Sequence, residues 1–173
     1  HSTLHRKQIN IHHFNRQSGK TVERIISPQQ LVHYRDNWYV DAWCHLRKEV
    51  RSFAVDAITD CEQLTLDAKE LDSELLRNSM QGGYGIFGGV VKNRAKLKFS
   101  PERARWVQNE EWHPDQVGKI QNDGSYVLEL PYSDERELIG DLLKYGSSVE
   151  VLSPKDLRSK VKDEIQKAIR VYE

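Results

Sequence analysis

The sequence predicts an α+β protein with two small domains, the first built mainly from strands and the second from both strands and helices. Three observations predict this class. Short runs of β-branched and aromatic residues fill the first third of the chain, a helical repeat follows them, and the remainder alternates between strand and helix patterns. A chain of 173 residues is long enough for each domain to bury a core.

The first domain, assigned to residues 5–62, contains five predicted strands separated by tight polar turns. Ser18-Gly19 and Arg35-Asp36 are typical turn sequences, and the runs between them have the composition of strands. Five short strands with such turns indicate a small β-barrel or sandwich. The predicted strands cover residues 8–14, 22–27, 30–34, 37–45 and 50–58.

A connecting segment, assigned to residues 63–90, begins with a predicted helix over 67–80. Asp67 and Glu70 have the spacing of a capping box, in which each side chain bonds a free backbone N–H at the start of a helix. Leu66 and Leu71 have the spacing of a hydrophobic staple around the same turn. These patterns predict that the helix begins at Asp67.

The glycine-rich stretch after this helix has the G-x-G-x-x-G spacing of a nucleotide-binding loop, at Gly83, Gly85 and Gly88. A dinucleotide fingerprint requires a strand before its glycines and a helix after them. The predicted order here is the reverse, so the stretch is interpreted as a helix terminator at Gly82 and a flexible hinge over 81–89.

The second domain, assigned to residues 91–173, shows the order β-α-β-β-α-β followed by a helix, which is a ferredoxin-like arrangement. Ser100-Pro101 and Ser133 are predicted to start its first two helices, Asp123-Gly124 to form a hairpin turn, and Gly146 to end the second helix. The last helix carries an apolar stripe that is predicted to be buried on its own domain or on a partner: Leu157, Val161, Ile165 and Ile169.

Composition excludes several classes of protein. No apolar run approaches the length of a membrane helix, and two cysteines without a C-x-x-C pair disfavour a disulfide scaffold or a zinc ribbon, so a cytoplasmic protein without a cofactor is expected. Residues 1–58 carry nine Lys and Arg against five Asp and Glu, a net charge of +4. This excess favours an anionic partner for the first domain.

Residues 24–58 resemble the signature of WYL domains. Arg24 stands four residues before Pro28, Trp38-Tyr39-Val40 matches the Trp-Tyr-Leu of the name, and Arg51-x-Phe53 leads to Asp56-Ala57-Ile58. Residues from about 87 to the end resemble the C-terminal extension that follows WYL domains in bacterial transcription regulators, notably in "DLLKYGSSVEVLSPKDLRSKV".

The resemblance implies an Sm/SH3-like barrel that senses a ligand, either a nucleotide or a single-stranded nucleic acid. It further implies a winged helix-turn-helix that binds operator DNA, which the family places before His1, and a homodimer. The first residue is not Met, which agrees with an upstream domain. One departure concerns Ala57, because the family usually has an arginine there and one cationic ligand contact is lost.

Five residues are the candidates for ligand binding. Arg24 and Arg51 are the first choices, because a guanidinium can hold a phosphate through two hydrogen bonds and stays charged at cellular pH; surface ion pairing is the alternative for both. Arg35 lies at a turn, and Tyr39 could stack on a base if Trp38, on the other face of its strand, is in the core. His13 takes the place of a tyrosine common in the family, with Phe14 as the alternative.

No metal site and no catalytic group are expected. His12 and His13 point to opposite faces of a strand, and no Ser/His/Asp or Cys/His motif has a recognisable context. The sequence therefore predicts a non-enzymatic effector sensor. Two alternatives stay open: a module whose second domain only dimerises, and a small hydrolase or nuclease that uses the histidines.

Overall fold

The computed structural model describes residues 1–16, 18–80, 84–86, 91 and 93–173, without the side chains of residues 77–80. The chain divides into two compact units, His1–Ser79 and Met80–Glu173. Most of the predicted hinge, including Gly82, Gly83, Gly88 and Gly89, lies outside the described residues. Within the described ranges, no helix combines the length and apolar character needed to cross a bilayer.

The first unit is an antiparallel sheet of five strands followed by a helix. The strand order β4-β3-β2-β1-β5 keeps neighbours in sequence adjacent in space, except that β5 crosses over to pair with β1. Among the described residues β4 and β5 each pair with one strand, so their pairings leave the sheet open. The elements are β1 (Lys7–Asn15), β2 (Lys20–Tyr34), β3 (Asn37–Cys44), β4 (Glu49–Ala54), a 3₁₀ turn (Val55–Ala57), β5 (Ile58–Asp67) and α1 (Ser73–Met80).

The two strands predicted at 22–27 and 30–34 are one long strand, β2. Its pairing with β3 shifts register between Pro28 and Gln30, so that Pro28 lies opposite Ala42 whereas Gln30 lies opposite Asp41. A bulge of this kind accommodates a proline, which has no N–H to donate to the ladder. From the sequence, the polar residues and the proline between these runs were interpreted as a break between two strands. In the structure they form a bulge within one continuous strand.

The helix predicted to begin at Asp67 begins six residues later, at Ser73. Asp67 is the last residue of β5 and forms an ion pair with Lys7, and Glu70 accepts hydrogen bonds from Arg6. These partners lie 60 and 64 residues away in sequence. Because Asp67 and Glu70 bind them, their carboxylates do not form the local capping box. The predicted staple is also wrong, because Leu66 is 62% exposed.

The second unit is a four-stranded antiparallel sheet in the order β7-β8-β6-β9, packed with helices. Its first and third strands are central, and its elements follow the predicted β-α-β-β-α-β order with a final helix. Together the two sheets establish a mixed α and β protein with antiparallel pairing. The elements are β6 (Asn93–Phe99), α2 (Pro101–Val107), β7 (Val117–Ile120), β8 (Tyr126–Tyr132), α3 (Glu135–Tyr145), a 3₁₀ turn (Gly146–Ser148), β9 (Val149–Ser153) and α4 (Lys155–Val171).

Local signals located most boundaries of this unit. The Ser100 side chain accepts a hydrogen bond from the Arg103 N–H at the start of α2, and the predicted hairpin turn contains Gly124 with a φ of 78°. Gly146 ends α3 as predicted. Ser133 is not the cap of α3, because Asp134 accepts the hydrogen bond from the Arg136 N–H and its carboxylate also pairs with the Arg136 guanidinium.

The apolar stripe of α4 is buried only at its beginning. Leu157 is fully buried in the core of the second unit and Val161 packs against that core, whereas Ile165 is 41% and Ile169 52% exposed. The second half of the stripe is therefore only partly covered by its own unit. For that half, burial on its own domain or on a partner stays a prediction.

The predicted hinge contains an anchored segment, Tyr84–Ile86. Tyr84 is buried in the core of the second unit, and its hydroxyl donates to Asp141 at 2.8 Å. The Ile86 N–H donates to the Glu137 carboxylate at 2.9 Å. Both acceptors lie on α3, so this part of the glycine-rich stretch is fixed to the second unit.

Gly85 is the residue on which this anchor depends. It has a φ of 76°, and a Cβ at this position would lie 1.8 Å from a carboxylate oxygen of Glu137. Gly85→Ala should therefore lower the free energy of unfolding by about 1–3 kcal/mol, through backbone strain and loss of the Ile86 hydrogen bond. Urea denaturation measures the change.

Gly140→Ala is the matched control, since it lies inside α3 with no atom within 4 Å of its Cβ. Alanine is the better helix former by about 1 kcal/mol, so this variant should be slightly more stable than the parent protein. Equal stability of the two variants would show that the anchor contributes nothing.

Candidate functional site

One face of the five-stranded sheet carries both the apolar core of the first unit and three of the predicted ligand-binding residues. Arg24 lies opposite Ile11, and Arg51 lies opposite Ala42. His13 is two residues beyond Ile11 in the same strand. Residues opposite each other in antiparallel strands share a face, as do residues two apart in one strand. Because Ile11 and Ala42 belong to the same buried cluster, His13, Arg24 and Arg51 all lie on that face.

His13 reports the electrostatic field on this face. Its ring is half-buried and contacts the ring of Phe53 edge-on, with 5.3 Å between centroids. Burial lowers the pKa of His13, and the positive charges of Arg24, Arg16 and Arg51 lower it further. Three guanidinium groups therefore act on one imidazole, and the field there is positive.

Arg24 is the arginine of this group without a carboxylate partner among the described residues. Its Nη1 approaches the Cys44 sulfur at 3.8 Å, a weak interaction, and its Nε is buried without a hydrogen-bond partner in the described part of the chain. Surface ion pairing, the alternative considered for Arg24 from the sequence, is not observed among the described residues, and the neighbouring Glu23 accepts a hydrogen bond from Asn10.

The other two arginines are paired at the surface. Arg51 forms an ion pair with Glu49 at 2.7 Å, and both side chains are about half exposed. Arg16 pairs with Asp56. Exposed pairs of this kind contribute little energy, so both arginines can exchange their carboxylates for another anion at small cost.

Tyr39 and Arg35 are not brought to this face. Tyr39 alternates with the buried Val40 and therefore points to the opposite side of the sheet. Arg35 lies at the tip of the β2–β3 hairpin with a φ of 52°, eleven residues along the chain from Arg24, and its guanidinium lies over the Tyr34 ring. Of the five candidates, the sheet groups three.

Trp38 is not a core residue, in contrast to the prediction. It is 54% exposed, and its ring lies 5.0 Å from that of His33, next to the hairpin tip. The alternation of side chains along β3 predicted the face of Trp38 correctly, because Trp38 and its neighbour Tyr39 lie on opposite faces of the sheet. The core, however, ends before the tip of the hairpin.

One feature of the site, Arg16, was missed in the sequence, and a departure noted there, Ala57, is now located in the structure. Arg16 follows β1 by one residue, and its position three residues after His13 is the only signal that could have indicated its influence. Ala57 is buried in the 3₁₀ turn between β4 and β5, so the position of the family's arginine is filled here by a small core side chain. No group of three or more potential metal ligands occurs within the described ranges.

Two family models match the chain in succession. The WYL domain model matches residues 1–63, and the WCX domain model matches residues 92–169. The chain belongs to the WYL-domain family. Its first unit contains the WYL domain, and its second unit contains the WCX domain.

Curated relatives of this WYL-domain chain include Protein PafC of Mycobacterium tuberculosis, 28% identical over 150 residues, which cover 87% of this chain and 46% of PafC. The uncharacterized HTH-type transcriptional regulator YobV of Bacillus subtilis is 27% identical over 165 residues, or 90% of this chain and 49% of YobV. The DNA-binding transcriptional repressor CapW of Pseudomonas aeruginosa is 38% identical over 58 residues, which cover 34% of this chain and 19% of CapW.

A solved structure supports the fold. The crystal structure of a CRISPR Cas-related protein superposes with a TM-score of 0.55 at 14% identity, covering 98% of this chain and 48% of that one. At this identity the likeness concerns the fold alone. The chain spans about half the length of PafC and YobV.

The lowered pKa of His13 predicts how the stability of the protein depends on pH. His45 behaves alike, because burial and the nearby Lys48 and Lys69 lower its pKa. In the unfolded chain both imidazoles return to about 6.5 and bind protons more readily. The free energy of unfolding should therefore decrease as pH falls below about 6.5.

The double variant His13→Gln, His45→Gln should lose a large part of this decrease between about pH 7 and 5. Urea denaturation at several pH values measures it for the parent protein and the variant. An unchanged pH dependence in the double variant would contradict the lowered pKa values.

Proposed function

We propose that this chain is the effector-sensing region of a cytoplasmic transcription regulator, and that its WYL domain binds an anionic ligand on the face that carries His13, Arg24 and Arg51. The ligand is a nucleotide or a single-stranded nucleic acid. The regulator class is supported by the names of YobV and CapW, an HTH-type transcriptional regulator and a DNA-binding transcriptional repressor. The single observation that supports an anionic ligand is that Arg24 is partly buried without a carboxylate partner among the described residues.

A partly buried guanidinium without a counter-charge is costly, because burial removes the water that would otherwise solvate it. The buried Nε of Arg24 has no acceptor among the described residues, and the positive field around His13 adds to the cost. A phosphate supplies negative charge and several acceptor oxygens at once. A phosphate-bearing ligand therefore matches the need of this face better than a neutral one.

The apolar cluster beside these groups favours a ligand that carries an apolar or aromatic group in addition to its phosphate. The ring of the buried Phe53 contacts His13 edge-on, so the half-buried His13 ring lies on the apolar cluster next to the guanidinium groups. Ring stacking and arginine contacts together are the usual means by which proteins hold single-stranded nucleic acids without reading their sequence. Binding, rather than chemistry, is the role we propose for these side chains.

Four finer assignments belong to the same proposal. The first sheet is proposed to be of the Sm-like type, and the second unit to be ferredoxin-like, because its central strands are the first and third of the four. In the whole protein, a DNA-binding domain is proposed outside this chain, which spans about half of its relatives. The ligand would shift the population of regulator conformations that bind operator DNA as a homodimer.

A dimerisation module without a ligand is the second candidate. The second half of the α4 stripe favours it, since Ile165 is 41% and Ile169 52% exposed within the described part of their unit. Under this alternative the arginine face of the WYL domain has no ligand.

Binding of a short single-stranded oligonucleotide should weaken as salt rises, because each phosphate contact releases counterions and contributes about −0.7 to the slope of log K against log salt. Arg24→Gln should lower the affinity by about tenfold and flatten the slope by about one contact, and Arg51→Gln should do the same. Fluorescence anisotropy measures both quantities.

Arg105→Gln is the control, because Arg105 is an exposed arginine of α2 in the second unit. It should leave both affinity and slope unchanged. An affinity that does not depend on Arg24 or Arg51 would place the binding site elsewhere. If neither oligonucleotides nor nucleotides bind at low salt, the anion-sensor proposal fails and the dimerisation module replaces it.

A further inference from the structure

A cavity of about 480 Å³ lies on the other side of the five-stranded sheet from the arginine face. Trp43 forms part of its wall, and it points away from the arginine face because it alternates with Ala42 and Cys44, which are buried in the core. The β3–β4 turn with the start of β4, the segment after β5 and the start of α1 supply the rest. The lining residues are Trp43, Lys48, Glu49, Val50, Lys69, Glu70, Leu71, Asp72 and Leu75.

Two lysines give this cavity its charge. Neither Lys48 nor Lys69 has a carboxylate within 4 Å among the described residues. The Lys69 ammonium instead lies 3.4 Å from the centroid of the Trp43 ring. An aromatic ring orients an ammonium group without neutralising it. The cation is therefore held in place with its charge available to an anion.

The carboxylates that line the cavity are already engaged. Glu70 accepts two hydrogen bonds from Arg6, and Glu49 pairs with Arg51. Asp72 accepts from the Glu74 N–H at the start of α1. The field that the lysines create extends to the neighbouring His45, whose pKa Lys48 and Lys69 both lower. Asp72 keeps its negative charge, so among the described residues the lining holds two lysines without a carboxylate partner against one unpaired carboxylate, and the balance is positive.

The wall that carries Lys69 is fixed to the sheet. The Lys69 N–H donates to the Ser27 hydroxyl at 2.8 Å, and the Lys69 carbonyl accepts from the Gln29 side chain at 3.0 Å. The lining also includes the apolar side chains of Val50, Leu71 and Leu75. The cavity thus combines cationic and apolar groups, and its volume lies in the range of small-molecule sites.

We propose that this cavity is a second ligand site of the WYL unit, for a small organic anion with an apolar body. The anionic group binds between the ammonium groups of Lys48 and Lys69, and the apolar body lies against Val50, Leu71 and Leu75. Trp43 and Val50 lie on the side of the sheet opposite to Arg24 and His13, whereas the lining residue Glu49 pairs with Arg51 of the arginine face.

The test uses the complete 173-residue chain and three probes that separate charge from apolar surface. Sodium 2-naphthoate carries both, 2-naphthalenemethanol lacks the charge, and acetate lacks the apolar body. Each is titrated while the indole N–H resonance of Trp43 is followed by NMR. Naphthoate should shift this resonance and saturate, and the other two should bind at least about tenfold more weakly.

Lys69→Gln and Lys48→Gln should each weaken naphthoate binding by about tenfold, since glutamine preserves much of the side-chain length and removes the charge. Lys20→Gln, an exposed lysine of β2 in the same unit, and Arg24→Gln on the opposite face should leave it unchanged. Equal affinities for naphthoate and its neutral analogue would overturn the proposal. A loss caused by Arg24→Gln in place of Lys69→Gln would overturn it too.

Discussion

The antiparallel register of β1 to β4 is the constraint on which the candidate site depends. Side chains alternate between the two faces of the sheet along each strand. Because Ile11 pairs with Arg24 and Ala42 pairs with Arg51, both arginines lie on the face that carries the apolar core. A shift of one residue in either pairing would send one arginine to the other side of the sheet. The register is specified because the same face must bury Ile26, Val40 and Phe53, so the apolar core determines where the basic groups lie.

The two faces of this sheet hold their positive charge in different ways. On one face, Arg24 is partly buried beside the core and has no carboxylate partner among the described residues. On the other, Lys69 is exposed and held against Trp43, and the cavity there is open to solvent. The first arrangement suits a phosphate-bearing ligand, because the phosphate oxygens can replace the water that burial removes from the Arg24 guanidinium. The second suits a small anion with an apolar body.

The sequence predicted what depends on local signals and failed where distant partners decide. The strands around residues 8–14 and 37–45, the cap at Ser100 and the turn at Gly124 were located because each is a property of a few neighbouring residues. The helix start at Asp67 was wrong because Lys7, 60 residues away, pairs with that carboxylate. Likewise, the alternation of side chains along β3 predicted which face Trp38 lies on, but it could not predict the point along the strand at which the core ends.

The candidate site was partly predictable for the same reason. Family resemblance selected His13, Arg24 and Arg51, strand alternation and turn position added Tyr39 and Arg35, and the strand pairings then grouped the first three. No sequence pattern could indicate that Arg24 has no carboxylate partner among the described residues, since that depends on which side chains the sheet places around it. The influence of Arg16 on His13 depends in the same way on how the chain turns after β1.

The pKa of the His13 imidazole, followed by NMR with and without a saturating nucleotide, tests the central claim most directly. In the free protein the three arginines and burial keep this pKa below about 6.5. A phosphate bound between Arg24 and Arg51 would offset their charge, so the pKa of His13 should rise on binding. A nucleotide that binds and leaves this pKa unchanged would contradict the claim that the arginine face is the ligand site.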